Sequence, residues 1–159
     1  MAEPAIALEP LDVRHVTALR ALHQQPGVSK WWGPMEAEFP FDEAESVRFA
    51  VLVDNVVVGL VQYGEEKWPD NRHAWIDIFV GDDYTGRGIG TEVMRRVIRM
   101  LLDERGHHRI TIDPAVENEP AIRCYEKAGF RRVGVLERSY REPWSGEWLD
   151  ELLMELVVR

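Results

Sequence analysis

The stretch Tyr84-Thr85-Gly86-Arg87-Gly88-Ile89-Gly90-Thr91 runs without a break into a helical pattern over residues 88–104. At 100° per residue, Ile89, Val93, Met94, Val97, Ile98, Met100, Leu101 and Leu102 fall on one broad arc. Glu92, Arg95, Arg96, Arg99 and Asp103 fill the remainder, as on a helix that lies on a sheet. Residues 74–80 read as a strand before it, with Trp75, Asp77 and Phe79 on one face and Ala74, Ile76, Ile78 and Val80 on the other. Gly106 ends the helix and residues 109–113 return as a second strand. A strand, a crossover helix and a strand make a right-handed unit with parallel strands, so the class is α/β. Three alternate glycines at the turn open a backbone bowl at the helix N-terminus. Its orphan N–H groups and partial positive charge suit an anion. By itself, a Gly-rich turn between a strand and a helix also serves plain packing.

Around this unit, residues 5–8 read as a short strand, and Asp12 caps a helix that reaches Gln24 and ends at Pro26-Gly27. Residues 29–45 read as irregular, with Trp31, Trp32, Phe39 and Phe41 among Gly33, Pro34 and Pro40. Residues 49–53 and 56–63 form a hairpin across Asp54-Asn55. Asn118 caps a further helix, with Pro120 in its first turn and Gly129 at its end, and residues 131–137 and 149–158 close the chain as strands. One domain over residues 1–159 is expected.

A formal net charge of −9 argues against nucleic acid as the main partner and suits a cationic substrate, though an acidic balance also serves solubility. No apolar run approaches membrane-spanning length, and Met1-Ala2-Glu3-Pro4 does not read as a signal peptide. With one cysteine, Cys124, no internal disulfide can form, which fits a reducing cytoplasm. His15, His23, His73, His107 and His108 show no metal-ligand spacing, and no metal is expected.

Thr111-Ile112-Asp113-Pro114 follows the loop and its helix. Next comes Asn118-Glu119-Pro120-Ala121-Ile122-Arg123-Cys124-Tyr125-Glu126-Lys127-Ala128-Gly129-Phe130. Together these resemble the GNAT superfamily of acetyl-CoA-dependent N-acetyltransferases over nearly the whole chain. The Asn-x-x-Ala-x-x-x-Tyr-Glu-Lys-x-Gly-Phe signature is far more specific than the glycine loop. Thr85 departs from the Gln or Arg with which that loop commonly begins. The departure weakens a side-chain contact and spares the backbone donors. Trp31-Trp32-Gly33, Asp77, and the runs 111–114 and 121–130 are similar to aminoglycoside 6'-N-acetyltransferases, which implies antibiotic resistance.

The resemblance implies a GNAT-like mixed, mostly antiparallel sheet with a central parallel strand pair and flanking helices. It implies acetyl-CoA as co-substrate, its pyrophosphate on the backbone amides of Arg87, Gly88, Ile89, Gly90 and Thr91. Phe79 and Val80 would pair with the pantetheine as an added strand, an amide there facing the thioester carbonyl. Asn118, Ala121 and Lys127 would complete the CoA site, and Tyr125 would protonate the departing thiolate. Asp77 would take the proton from the attacking ammonium, and Trp32, Asp77, Asp113 and Asp150 would bind the cationic acceptor.

Each assignment has a plainer rival. Tyr125 could be a packed helix aromatic, Asp77 a member of a structural ion pair, and Asp113 a turn residue before Pro114. Trp31 and Trp32 could plug the edge of the core, and Glu65-Glu66 reads as a charged turn. Cys124 reads as a small buried residue, and no acyl-cysteine step is needed. The acceptor could be another amine, such as a siderophore intermediate, a polyamine or a protein α-amine. A non-catalytic CoA-binding module is the rival from a different class. A monomer and a homodimer are both open.

Overall fold

The computed structural model describes residues 3–159. Seven strands hydrogen-bond in the order β1-β2-β3-β4-β5-β7-β6: β1 (Ile6–Pro10), β2 (Val47–Val53), β3 (Val56–Glu66), β4 (His73–Val80), β5 (Arg109–Ile112), β6 (Arg131–Arg141) and β7 (Trp148–Val157). Among the described residues four α-helices accompany them: α1 (Val16–His23), α2 (Pro26–Trp32), α3 (Ile89–Asp103) and α4 (Glu119–Ala128). The sheet is mixed, with β4 and β5 parallel at Ala74–Ile110 and Trp75–Thr111, as the strand–helix–strand reading requires. The chain forms two compact units: residues up to Tyr63 with Asp77–Val93, and Gly64–Ile76 with Met94–Arg159.

In the first unit, β1, β2 and β3 form an antiparallel meander. The β2–β3 reversal falls on Asp54 and Asn55, both at positive φ (49° and 68°), a conformation that these short polar side chains tolerate. Ala50, Val51, Val58, Leu60 and Val61 are fully buried. Leu19, Leu22, Val28, Phe39, Leu60 and Phe79 form one apolar cluster, with Trp32 and Met35 packed on it.

One expectation is corrected here. Pro26-Gly27 does end α1, but Pro26 also opens α2, because its fixed φ suits the first helical position. Trp31 and Trp32 therefore sit on the last turn of a helix rather than in an irregular stretch. A Cβ on Gly27 would overlap the Asp82 carboxylate, which accepts a hydrogen bond from the Gly27 amide at 3.2 Å, so a larger residue there would displace the Asp82 side chain.

In the second unit, β5, β7 and β6 pair antiparallel. Strand β6 runs four residues past its expected end at Glu137, with register shifts and Arg138 at φ 49°. Helix α4 has the expected ends: the Asn118 side chain accepts from the Ala121 amide and Gly129 closes it at φ 115°.

Candidate functional site

The glycine loop lies in the first unit. Gly86 and Gly88 hold φ +72° and +79°, and a Cβ on either would meet nothing within 4 Å. These glycines answer to backbone conformation, not crowding. Thr85 Oγ1 donates to the Asp82 carbonyl at 3.1 Å, and the Arg87 guanidinium lies 5.4 Å from the Tyr84 ring centroid. Residues 85–88 are exposed, Ile89 is buried, and Gly90 and Thr91 are half-buried. Open space over two left-handed glycines, beside the first N–H groups of α3, fits an anion held by backbone amides.

The end of β4 belongs to the same unit. Trp32 meets Phe79 edge-on at 5.0 Å, and the buried His23 lies 4.6 Å from Phe39 and 6.2 Å from Phe79. A Cβ on Gly59 would overlap the Phe79 carbonyl, so β3 and the end of β4 approach closely there. Val80 is half-buried. Trp31 is taken up by Lys30, whose Nζ sits 4.8 Å from its ring centroid.

The alternation expected along β4 does not run through. Ala74 and Ile76 are buried and Trp75 is exposed, but Asp77 and Ile78 are both half-buried and Phe79 is buried. The buried positions thus change phase between Ile76 and Phe79. At that point the Ile78 amide donates to Asp77 Oδ1 at 2.9 Å, a local side-chain bond within the strand.

The remaining residues lie in the second unit. Asp113 follows β5 at the surface, yet desolvation by the groups around it raises its carboxyl above the ordinary range, against a backbone hydrogen bond that lowers it. Glu151 on β7 is raised by burial and by the charge of Asp113, while Ser139 Oγ donates to its Oε1 at 2.8 Å. Burial, with the charges of Glu142, Glu151 and Glu117, raises the Tyr140 hydroxyl. The charge of Asp113 therefore adds to the negative potential at Glu151. Asp150 is committed elsewhere: its Oδ1 accepts from the Arg138 amide at 2.7 Å, which holds the irregular turn of β6. Glu151, beside it, is an acid that the sequence pattern does not single out. The apolar residues Leu149, Leu152 and Leu153 do not alternate, so the pattern does not mark which face an intervening acid takes.

On α4, Asn118 Oδ1 accepts from the Ala121 amide at 3.4 Å, and Ala121 is half-buried. Tyr125 is buried, with its ring 6.3 Å from Phe130 in an edge contact. Lys127 is exposed, its carbonyl accepting from Arg95 at 3.3 Å, and Cys124 is half-buried. Glu65 serves the structure, since Arg105 Nη2 and His107 Nε2 both lie 2.6 Å from its carboxylate oxygens. The Arg105 hydrogen bond, with help from His107, holds that carboxyl below the usual range. Among the described residues no group of three or more His, Cys, Asp and Glu is arranged to hold a metal ion, and no helix is long and apolar enough to cross a membrane.

Among known proteins, the chain is 43% identical over 131 residues to an aminoglycoside N(6')-acetyltransferase type 1 of Klebsiella pneumoniae, covering 69% of this chain and 65% of that protein. It is 27% identical over 162 residues to the L-amino acid N-acetyltransferase AaaT of Escherichia coli strain K12, covering 96% and 98% of the two chains. The fold matches a spermidine N-acetyltransferase from Vibrio cholerae, solved with CoA and spermine, at a TM-score of 0.80 and 21% identity over 96% of this chain and 95% of that one. The family model for GNAT acetyltransferases matches residues 16–130, which span the glycine loop, β5 and the whole of α4. The chain belongs to the acetyltransferase (GNAT) family.

Proposed function

We propose that residues 1–159 form a single cytoplasmic acetyltransferase domain that moves an acetyl group from acetyl-CoA to a primary amine, the 6'-amine of an aminoglycoside. The observation that carries this reading is the exposed loop with left-handed Gly86 and Gly88 at the start of α3. The amides of Arg87, Gly88, Ile89, Gly90 and Thr91 hold the pyrophosphate there. Phe79 and Val80 extend along the pantetheine, and Asn118, Ala121 and Lys127 complete the CoA contacts.

Bound acetyl-CoA supplies an activated acyl carbon, and the protein supplies position and proton traffic. Asp77 takes a proton from the acceptor ammonium, directly or through one water. A strand-end amide at Phe79 or Val80 holds the oxygen that gains negative charge as the N–C bond forms. Tyr125 gives its proton to the thiolate as the C–S bond breaks, and the second proton that the new amide nitrogen must lose passes to the tyrosinate through water. Trp32 offers the sugar an apolar wall, and Asp113 binds a second ammonium. Asp150 is the weaker acidic ligand, since its carboxylate already serves the Arg138 amide.

The identity to an aminoglycoside acetyltransferase and the net charge of −9 support this acceptor. A second acceptor class is a free amino acid, favoured by the likeness to AaaT over nearly the full chain, or a polyamine. Purified protein given acetyl-CoA should release free CoA with kanamycin or tobramycin, and mass spectrometry should place the added acetyl group on the 6'-nitrogen. Turnover with amino acids or spermidine alone would move the acceptor to the second class. Acetyl-CoA binding without any amine-dependent CoA release would leave a binding module.

A further inference from the structure

Residues 33–46, which join α2 to β2, lie next to the aromatic group at the end of β4 and contain no regular element. Two arginines hold this segment. From α1, Arg20 Nη1 donates to the carbonyls of Phe39 at 2.8 Å and Ala37 at 3.2 Å. From β2, Arg48 does more. Its Nη1 donates to the Pro40 carbonyl at 2.9 Å and to Asp42 Oδ1 at 2.6 Å, and its Nε donates to Gln62 Oε1 at 2.8 Å. Its side chain is 4% exposed, and the guanidinium stands 5.6 Å from the Phe39 ring centroid.

A charge buried this deeply in a strand of otherwise apolar residues is costly unless it is paired and hydrogen-bonded. Asp42, the Pro40 carbonyl and Gln62 offset that cost, and the same bonds hold the segment that carries Phe39, which packs on His23 at 4.6 Å and on Phe79 at 6.4 Å. Phe79 in turn meets Trp32. We infer that Arg48, with Asp42, is a positioning residue for the acceptor side of the reaction. By pinning residues 39–42 it sets Phe39, and Phe39 sets the Phe79 ring and, through that ring, Trp32, while the Phe79 backbone that serves the pantetheine is held by β4 itself. The inference rests on the acetyl-transfer reading, in which Trp32 faces the amine.

The variant Arg48→Lys keeps the charge, but one ammonium cannot span Gln62, Pro40 and Asp42 as a planar guanidinium does. Steady-state kinetics well below the melting temperature should show the KM for the amine rising about tenfold, while the KM for acetyl-CoA stays within twofold. Asp42→Asn should shift the amine KM the same way by about threefold, and it carries the test if Arg48→Lys fails to fold. Leu101→Ala, a core truncation on α3, controls for plain destabilisation and should leave the amine KM at the wild-type value. An unmoved amine KM, or both KM values rising together, overturns the inference while wild-type turnover keeps the acetyl-transfer reading. Wild-type protein that turns over no amine overturns both.

Discussion

At the scale of single residues, Asp77 and Gly88 separate chemistry from binding. Asp77 is half-buried at the place where β4 loses its alternation, with its own next amide on Oδ1. If it is the base, Asp77→Asn should lower kcat by about a hundredfold or more, the usual worth of a positioned proton acceptor. The dissociation constant for CoA, read by calorimetry, should stay within twofold. Unchanged kcat would remove Asp77 from the chemistry. Gly88 is the complementary case. Its φ of +79° is one that L side chains rarely adopt, and the space beyond it is open. Gly88→Ala should therefore cost about 1–2 kcal/mol of stability through backbone strain alone. It should also weaken CoA binding, because relief of that strain turns the loop amides away from the anion. Thermal unfolding with and without CoA reads both effects. A variant with wild-type CoA stabilisation would show that the loop does not hold the ligand.

At the scale of elements, what the sequence discloses depends on whether an element carries its own signals. Helix α3 is legible because its apolar arc is long, and Ile89, Val93, Met94, Val97, Ile98 and Leu101 are indeed buried. Helix α4 is legible because Asn118 and Gly129 mark its ends. Helix α2 is hidden, since Pro26-Gly27 punctuates α1 and starts α2 at once. The last third of β6 is hidden because its extension depends on register shifts against β7. The same holds within the candidate site. Trp32, Asp77 and Asp113 stand out as residue types, whereas Arg48 inside Val-Arg-Phe-Ala-Val-Leu-Val makes sense only once Pro40, Asp42 and Gln62 surround it. Asn118 tests the two roles that an element end can combine. Asn118→Asp keeps an oxygen for the Ala121 amide and adds a charge that the helix N-terminus favours, so stability should hold or rise by up to about 1 kcal/mol. The variant loses the Nδ2 donor. The KM for acetyl-CoA should rise severalfold if that donor meets the pantetheine, and remain at the wild-type value if Asn118 is a cap alone.

At the scale of the whole molecule, ionisable groups of opposite sign set the response to acid. Glu65, Glu142 and Glu155 are held below their ordinary 4.5, each chiefly by a side-chain hydrogen bond. They stabilise the fold above that pH, and the contribution is lost as pH falls through their folded values. Asp113 and Glu151 are raised by burial, so their protonation restores some stability as pH falls toward the ordinary carboxylate range. His23 acts earlier. Burial lowers its pKa from 6.5, against a backbone hydrogen bond and the charge of Asp42, with Arg48 and Arg20 adding to the lowering. Below pH 6.5 the unfolded chain takes up a proton that the folded chain refuses. Stability therefore declines as pH falls from 6.5 toward the folded value of His23, before most carboxylates titrate. His23→Phe removes this group and retains an aromatic ring against Phe39, Trp32 and Phe79. Melting temperatures measured between about pH 7.5 and about pH 5 should slope downward in the wild type and flatten in the variant. Equal slopes in the two proteins would show that His23 is protonated as readily in the fold as in the open chain.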